Sequence, residues 1–343
     1  MRYRLLGRSG LRVSELCLGT MTFGEDWGWG ADKATSRLMF EQFAAAGGNF
    51  IDTSNNYTNG TSERFLGEFV KSARDRYVVA TKYTLRLTTG DANDPNLGGN
   101  SRKSMIRSAE GSLKRLDTDY IDLLYLHMWD FTTPIEEILQ AVNQLIVAGK
   151  VLYFAFSDTP AWVVAYAIAK AEDYGLPRPV AFQAPYSLVG RAIERAEIPM
   201  ARTHDLAILA WGMLEGGVLT GKYSQPGDEP RREEHVSDTD RAAGEALRKL
   251  ADQIGRTPAQ VAINWVRQQP GNVIPILGCR SATQIQDNLG CLDFQLTGEQ
   301  IASLSTIANF SLDFPYSFLH SDNVRNLIFG TTFAQLDSHR PLG

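Results

Sequence analysis

Residues 121–157 read IDLLYLHMWDFTTPIEEILQAVNQLIVAGKVLYFAFS. Ile121 to His127 and Val151 to Ser157 are short apolar runs of strand length. Between them Ile135, Ile138, Leu139, Val142 and Leu145 recur at three- and four-residue intervals, which puts them on one face of a helix over Ile135 to Ala148. Thr133-Pro134-Ile135-Glu136 predicts its start, with a capping Thr, a proline at the first helical position and an acid three residues after the cap. Strand, crossover helix and strand make the repeating unit of a parallel sheet wrapped in helices.

The same alternation continues in both directions along the chain. Further strands are expected at Glu15 to Gly19, Asn49 to Asp52, Tyr77 to Lys82, Val180 to Pro185, Ala207 to Trp211 and Val273 to Leu277, eight with the two above. Helices are expected at Ala31 to Ala46, Thr61 to Ser72, Arg102 to Leu116, Ala161 to Tyr174, Ala192 to His204 and Ala282 to Leu289. One long helix or a pair should cross Thr239 to Gln269, where Thr257-Pro258-Ala259-Gln260 repeats the start signal. Eight such units predict an α/β fold, a (β/α)8 TIM barrel, whose typical ~250 residues leave about 90 of the 343 for additions. Arg2 to Val13, with Gly7 and Gly10 at a turn, reads as an N-terminal β-hairpin closing the barrel floor. Thr88 to Asn100 and Ser224 to Asp240 read as long active-site loops, the second a lid over bound cofactor. Thr297 to Gly343 adds a C-terminal helical tail. No break in composition divides residues 1–343, so one domain is expected, with the hairpin at 2–13, the barrel at 15–291 and the extension at 297–343.

Several classes are disfavoured at once. A doubly wound dinucleotide fold needs G-x-G-x-x-G after its first strand, and Gly28-Trp29-Gly30 leads to Lys33 where the third glycine belongs. Gly216 to Tyr223 nearly spells a phosphate loop, but Tyr223 replaces the hydroxyl residue needed at a metal. Lys plus Arg number 34 and Asp plus Glu 39, a net charge of -5, which supplies no field for nucleic acid or an anionic membrane. No apolar run approaches the ~20 residues of a bilayer span, and Met1 to Arg8 lacks the apolar core of a secretion signal, so a cytoplasmic location is expected. Cys17, Cys279 and Cys291 are three at unrelated spacings and predict neither a disulfide framework nor a metal site.

In a barrel the reactive groups sit at the carboxyl ends of the strands. Asp52, Lys82 and His127 end strands there, and Tyr57 follows Asp52 in the next loop. Singly each has a structural explanation: a cap, an ion pair, a core imidazole, a tyrosine lying on the rim. Together they make a coherent acid–base set. An ammonium beside a phenol stabilises the phenolate and is expected to pull its pKa below ~10. A carboxylate aims the ammonium, the phenol gives or takes a proton, and a neutral imidazole donates a hydrogen bond to a carbonyl.

Gly48-Asn49-Phe50-Ile51-Asp52-Thr53-Ser54-Asn55-Asn56-Tyr57, with Ser62-Glu63-Arg64-Phe65-Leu66-Gly67, resembles the first signature of the aldo-keto reductases, and later motifs follow in that family's order. Ser157-Asp158-Thr159-Pro160-Ala161-Trp162 and Asp94-Pro95-Asn96 resemble its aryl-alcohol dehydrogenase-like branch. The resemblance covers nearly the whole chain. It implies that Tyr57 is the proton donor, that Asp52 and Lys82 tune it, that His127 positions the carbonyl, and that a nicotinamide cofactor supplies the hydride without a metal.

For that cofactor the resemblance implies Gly19, Thr20 and Met21 after the first strand, Asp52, and Ser157, Asp158 and Gln183 at the carboxamide, with Trp211 stacking on the ring. Gly212, Met213, Leu214, Gly216 and Lys222 fall in the segment that crosses the pyrophosphate. Asp158 stands where many members have Asn, which removes one donor to the carboxamide oxygen. Gly278, Arg280 and Ser281 open a helix whose free N–H groups favour an anion; a ribose 2′-phosphate fits, so NADPH is favoured over NADH. Gln284 and Asn288, four apart, are expected to face the adenine. Trp27, Trp29, Tyr83, Trp129 and Phe131 are the expected substrate residues, an aromatic set suited to a flat carbonyl compound or its alcohol, or else a plain cover for the rim.

Two other readings compete. The same barrel serves as a partner-docking, redox-sensing module in potassium-channel β-subunits. A metal-dependent hydrolase or lyase using Asp52 and His127 lacks a further His or carboxylate at ligand spacing.

Overall fold

The computed structural model describes residues 1–87, 90–220, 237–308 and 310–337. Its chain begins with β1 (Tyr3–Leu5) and β2 (Arg12–Ser14), which pair antiparallel with Tyr3 opposite Ser14. Gly7 turns between them at φ 52°, and a Cβ there would lie 2.1 Å from the Val180 carbonyl oxygen, so only glycine passes this close to the barrel. Leu6 and Val13 enter the lumen from below and plug it.

Eight parallel strands follow: β3 (Cys17–Gly19), β4 (Phe50–Asp52), β5 (Val78–Tyr83), β6 (Ile121–Leu126), β7 (Val151–Ser157), β8 (Ala181–Pro185), β9 (Ala207–Trp211) and β10 (Val273–Gly278). Each pairs with the next, and β10 closes on β3 with Ile276 opposite Cys17, which completes the (β/α)8 barrel. Side chains alternate between two cores. Cys17, Phe50, Ala80, Leu123, Tyr125, Ala155, Leu209 and Ile274 fill the lumen, while Leu18, Ile51, Val79, Leu124, Phe156 and Phe182 pack outward against the helices.

The outer layer is α1 (Lys33–Ala45), α2 (Thr61–Val70), α3 (Arg102–Leu116), α4 (Ile135–Val147), α5 (Ala161–Asp173), α6 (Glu197–Thr203), α7 (Asp238–Ile254), α8 (Pro258–Arg267) and α9 (Ala282–Leu289). The stretch from Thr239 to Gln269 is a pair, parted at Gly255, whose φ of 65° ends α7. Thr257 then caps α8 in a reciprocal bond with Gln260, as expected. At α4 the expected cap is absent because Asp130 takes the Thr133 hydroxyl at 2.9 Å, and Pro134 stands at the cap position instead. The expected helix over Ala192 to His204 is a single 3₁₀ turn, Ala192–Glu194, followed by the seven-residue α6, with non-helical backbone at Ala196 between them. Beyond the barrel lie α10 (Gly298–Ser305), α11 (Tyr316–Leu319) and α12 (Asp322–Phe329), which make up the expected helical extension.

Candidate active site

Because side chains alternate along a strand, inward positions at or near the carboxyl ends of β4, β5, β7 and β8 converge on that end of the lumen. Asp52, Lys82, Ser157 and Gln183 occupy them. Lys82 is fully buried, and its three protons have three destinations: Asp52 Oδ2 at 2.5 Å, the Thr53 carbonyl at 2.9 Å and the Tyr57 hydroxyl at 3.1 Å. An ammonium only donates, so the Tyr57 oxygen accepts from it and the phenol's own proton is left for another partner. Gln183 Nε2 donates to Asp52 Oδ1 at 2.9 Å, so both carboxylate oxygens are held. Tyr57 reaches the group from a short 3₁₀ turn, Tyr57–Gly60, in which Thr58 and Asn59 adopt left-handed backbone.

His127 follows β6 directly and is 6% exposed. Its Nδ1 lies 3.1 Å from Ser54 Oγ, and its ring stands edge-on to Tyr57 with centroids 6.0 Å apart. The four expected catalytic side chains thus meet at one end of the barrel.

The electrostatics differ from the sequence expectation at Tyr57. Its pKa is raised, not lowered: burial dominates, and Lys82 pulls the other way while Asp52 offsets part of that pull. The phenol is therefore held protonated through neutral pH. Burial alone would lower Lys82, but the Asp52 carboxylate and the Tyr57 oxygen override it and keep the ammonium charged. Burial, aided by Lys82, pushes His127 well below its ordinary value, so its ring is neutral.

The cofactor-side positions divide. Ser157 is 1% exposed, and its Oγ has no hydrogen-bond partner among the described residues, an orphan hydroxyl where a polar ligand group is expected. Asp158 stands at a left-handed φ of 40°, and burial raises its carboxyl to about 6, with the Trp211 indole working against that rise. Trp211 itself is 40% exposed at the end of β9, its ring open to the rim. Ser281 caps α9 through the Gln284 N–H, Arg280 is exposed beside it, and Gly278 leaves open space where a Cβ would stand. Gly212 and Gly216 are likewise open, and Met21 lies exposed at the rim. This combination of an orphan hydroxyl, an open indole face and a cationic helix start fits a nicotinamide dinucleotide.

Other expected residues are placed differently. Thr20 is buried, with its hydroxyl bonded to the Asp52 carbonyl and Ser62, so it braces β4. Gly19 packs against Ile276, Met213 is buried, and Leu214 rests on the outer core. Gln284 accepts from the Arg280 N–H at 2.7 Å on the surface, whereas Asn288 is buried against Cys279, so the two do not share an exposed face. Tyr83 is no rim residue. Lys82 points into the lumen, so its neighbour points outward, and Tyr83 is fully buried among the helices. Trp27 stands edge-on to Tyr57 at 6.4 Å and touches Trp29, over which Arg280 lies at 5.4 Å. Trp129 packs on the core and on Phe131, which is 77% exposed. Lys222 and the segment 221–236 lie outside the described residues.

Residues 15–309 match the model of the aldo/keto reductase family. The chain belongs to that family. Its relatives include a norsolorinic acid reductase of Emericella nidulans, 39% identical over 91% of this chain and 82% of the relative. An aryl-alcohol dehydrogenase of Pestalotiopsis microspora is 38% identical over 93% and 85%. An aryl-alcohol dehydrogenase of Phanerodontia chrysosporium, named as NADP(+)-dependent, is 36% identical over 93% and 89%. As an aldo/keto reductase the chain is an NAD(P)H-dependent enzyme that reduces carbonyl groups to alcohols. Among the described residues no helix is long and apolar enough to cross a membrane.

Three contributors to this site were not singled out by the sequence. Ser54 touches His127, Thr53 presents a carbonyl to Lys82, and Ser62 links Thr20 to Thr53. Their only signal was position, since Thr53 and Ser54 lie in the strand-end loop between Asp52 and Tyr57.

Proposed function

We propose that this aldo/keto reductase reduces aromatic aldehydes or ketones with NADPH, reversibly, and that Tyr57 donates the proton. The observation that supports it is the threefold donation by Lys82, which occupies a lone pair of the Tyr57 oxygen and leaves its proton free for a carbonyl. The raised phenol pKa keeps that proton available at neutral pH, which suits the reductive direction. When bound, the cofactor supplies the hydride. Ser157 and Asp158 would hold its carboxamide, Trp211 its ring and Arg280 with Ser281 the 2′-phosphate. Trp27, Trp29, Trp129 and Phe131 wall the rim with aromatic surface, and relatives named for aryl alcohols point the same way.

The test is reduction of an aryl aldehyde with NADPH and NADH side by side, in the wild type and in Arg280→Ala. A phosphate–guanidinium contact contributes about 1.5–3 kcal/mol, so the NADPH preference should exceed tenfold and collapse in the variant. An unchanged preference removes the basis for naming NADPH. No turnover with either cofactor would overturn the reductase reading.

A further inference from the structure

The loop 22–31, between β3 and α1, reaches two separate parts of the rim. Its neck is closed on itself, with the Ala31 N–H donating to the Thr22 carbonyl at 2.7 Å and the Gly24 N–H to the Ala31 carbonyl at 2.8 Å. That neck is also tied outward on two sides. Thr22 Oγ1 donates to the carbonyl of Cys279, the residue before Arg280, at 2.5 Å, and Thr58 Oγ1, next to Tyr57, donates to the Phe23 carbonyl at 2.6 Å. The tip of the loop spans the same distance with rings. The Arg280 guanidinium lies 5.4 Å from the Trp29 ring centroid, Trp29 and Trp27 are 5.5 Å apart, and Trp27 stands edge-on to Tyr57 at 6.4 Å. Neck and tip thus join the same two places. Arg280 uses its backbone N–H on Gln284 and the face of its guanidinium on Trp29, and among the described residues its side-chain N–H groups meet no acceptor. A flat guanidinium can rest its face on an indole while its edge donates to a phosphate.

Resting on the reading of Arg280 as the contact to the 2′-phosphate, we propose that Trp29 is a positioning residue that carries occupancy of that contact through Trp27 to the substrate side of Tyr57. An aryl carbonyl compound then binds better beside the phosphorylated cofactor. The guanidinium is exposed and rests on Trp29 by stacking alone. A phosphate at its edge fixes it, a fixed guanidinium holds Trp29, and Trp29 holds Trp27 as one wall of the space over the phenol. Without the phosphate the substrate has to order that wall as it arrives, which weakens its binding. The coupling is reciprocal, so an aryl ligand in the pocket strengthens the hold on the phosphorylated cofactor by the same factor.

The test uses acetophenone, an aryl ketone, in calorimetric titrations of the wild type, Trp29→Leu and Trp29→Phe, each saturated with NADP+ or with NAD+. The ketone has no hydrogen on its carbonyl carbon and the oxidised cofactors carry no hydride to give, so binding alone is read. In the wild type acetophenone should bind about two- to fivefold more tightly to the NADP+ form, the range of an exposed cation–π contact. That ratio should fall to one in Trp29→Leu and persist in Trp29→Phe, which keeps a ring under the guanidinium. A tryptophan that only shapes the loop would weaken both forms alike and leave the ratio as it was. A wild-type ratio of one, or an undiminished ratio in Trp29→Leu, therefore overturns the proposal, as does a ketone that binds neither form. The Kd ratio of the two cofactors, measured in the wild type and in Arg280→Ala, separates the failures. If it is unchanged, the reading of Arg280 and the coupling fall together; if it collapses while ketone binding shows no difference, the coupling alone falls.

Discussion

At the scale of single residues, Asp158 is where this chain's own chemistry is most open to measurement. Burial raises its carboxyl to about 6, with the Trp211 N–H and the Lys82 charge working against that rise. Below pH 6 it carries a proton and, on the proposed cofactor placement, would donate to a carboxamide oxygen; above, it is an anion and would not. NADH, which has no 2′-phosphate titrating in the same range, is therefore expected to bind several-fold more tightly at pH 5 than at pH 8. Asp158→Asn should abolish the step, as read from quenching of tryptophan fluorescence. The same dependence in the variant would assign the titration elsewhere. Asp52, Lys82, His127 and Tyr57 were legible because strand ends and the loops after them can be located from apolar runs. Tyr83 was misplaced for want of the period-two rule, which sends Lys82 and its neighbour to opposite faces. The pKa of Tyr57 was misjudged because a charge next door is visible in a sequence and the depth of burial is not.

At the scale of elements, the helices are tied by ion pairs joining residues far apart in the chain. Glu63 of α2 is completely buried and accepts from Thr81 of β5 and Arg115 of α3, each at 2.6 Å. The second residue of β5 is held similarly, its N–H bonded to Asp122, which also pairs with Arg74. Removing Arg115 strands a carboxylate. Because the Arg115 side chain keeps 18% exposure, Arg115→Met should cost about 3 kcal/mol in urea unfolding, the lower end for a broken buried pair. A loss under 0.5 kcal/mol would mean that water reaches Glu63. Helix starts such as Thr257-Pro258 can be read locally because the cap and its partner are three residues apart. The failure at Thr133 came from Asp130 competing for the same hydroxyl, and pairs such as Glu63 with Arg115 leave no periodic mark at all.

At the scale of the molecule, the barrel has a floor that stabilises and a rim that reacts. All eight strands were legible from apolar runs because closed barrels repeat one unit, and the hairpin was legible from the glycines at its turn. Leu6 fills the floor with no exposure, so Leu6→Ala should cost 2–5 kcal/mol in urea while leaving kcat within about twofold. A fall in kcat beyond that would show the two ends to be coupled. The central claim concerns the rim: Lys82 orients a neutral phenol so that its proton faces the substrate. Single-turnover reduction of an aryl aldehyde by NADPH in Tyr57→Phe tests it most directly, with cofactor affinity read on the same sample by fluorescence. Rates reduced by about 10²–10⁴ with affinity unchanged are the expected result, and turnover within tenfold of the wild type would contradict it.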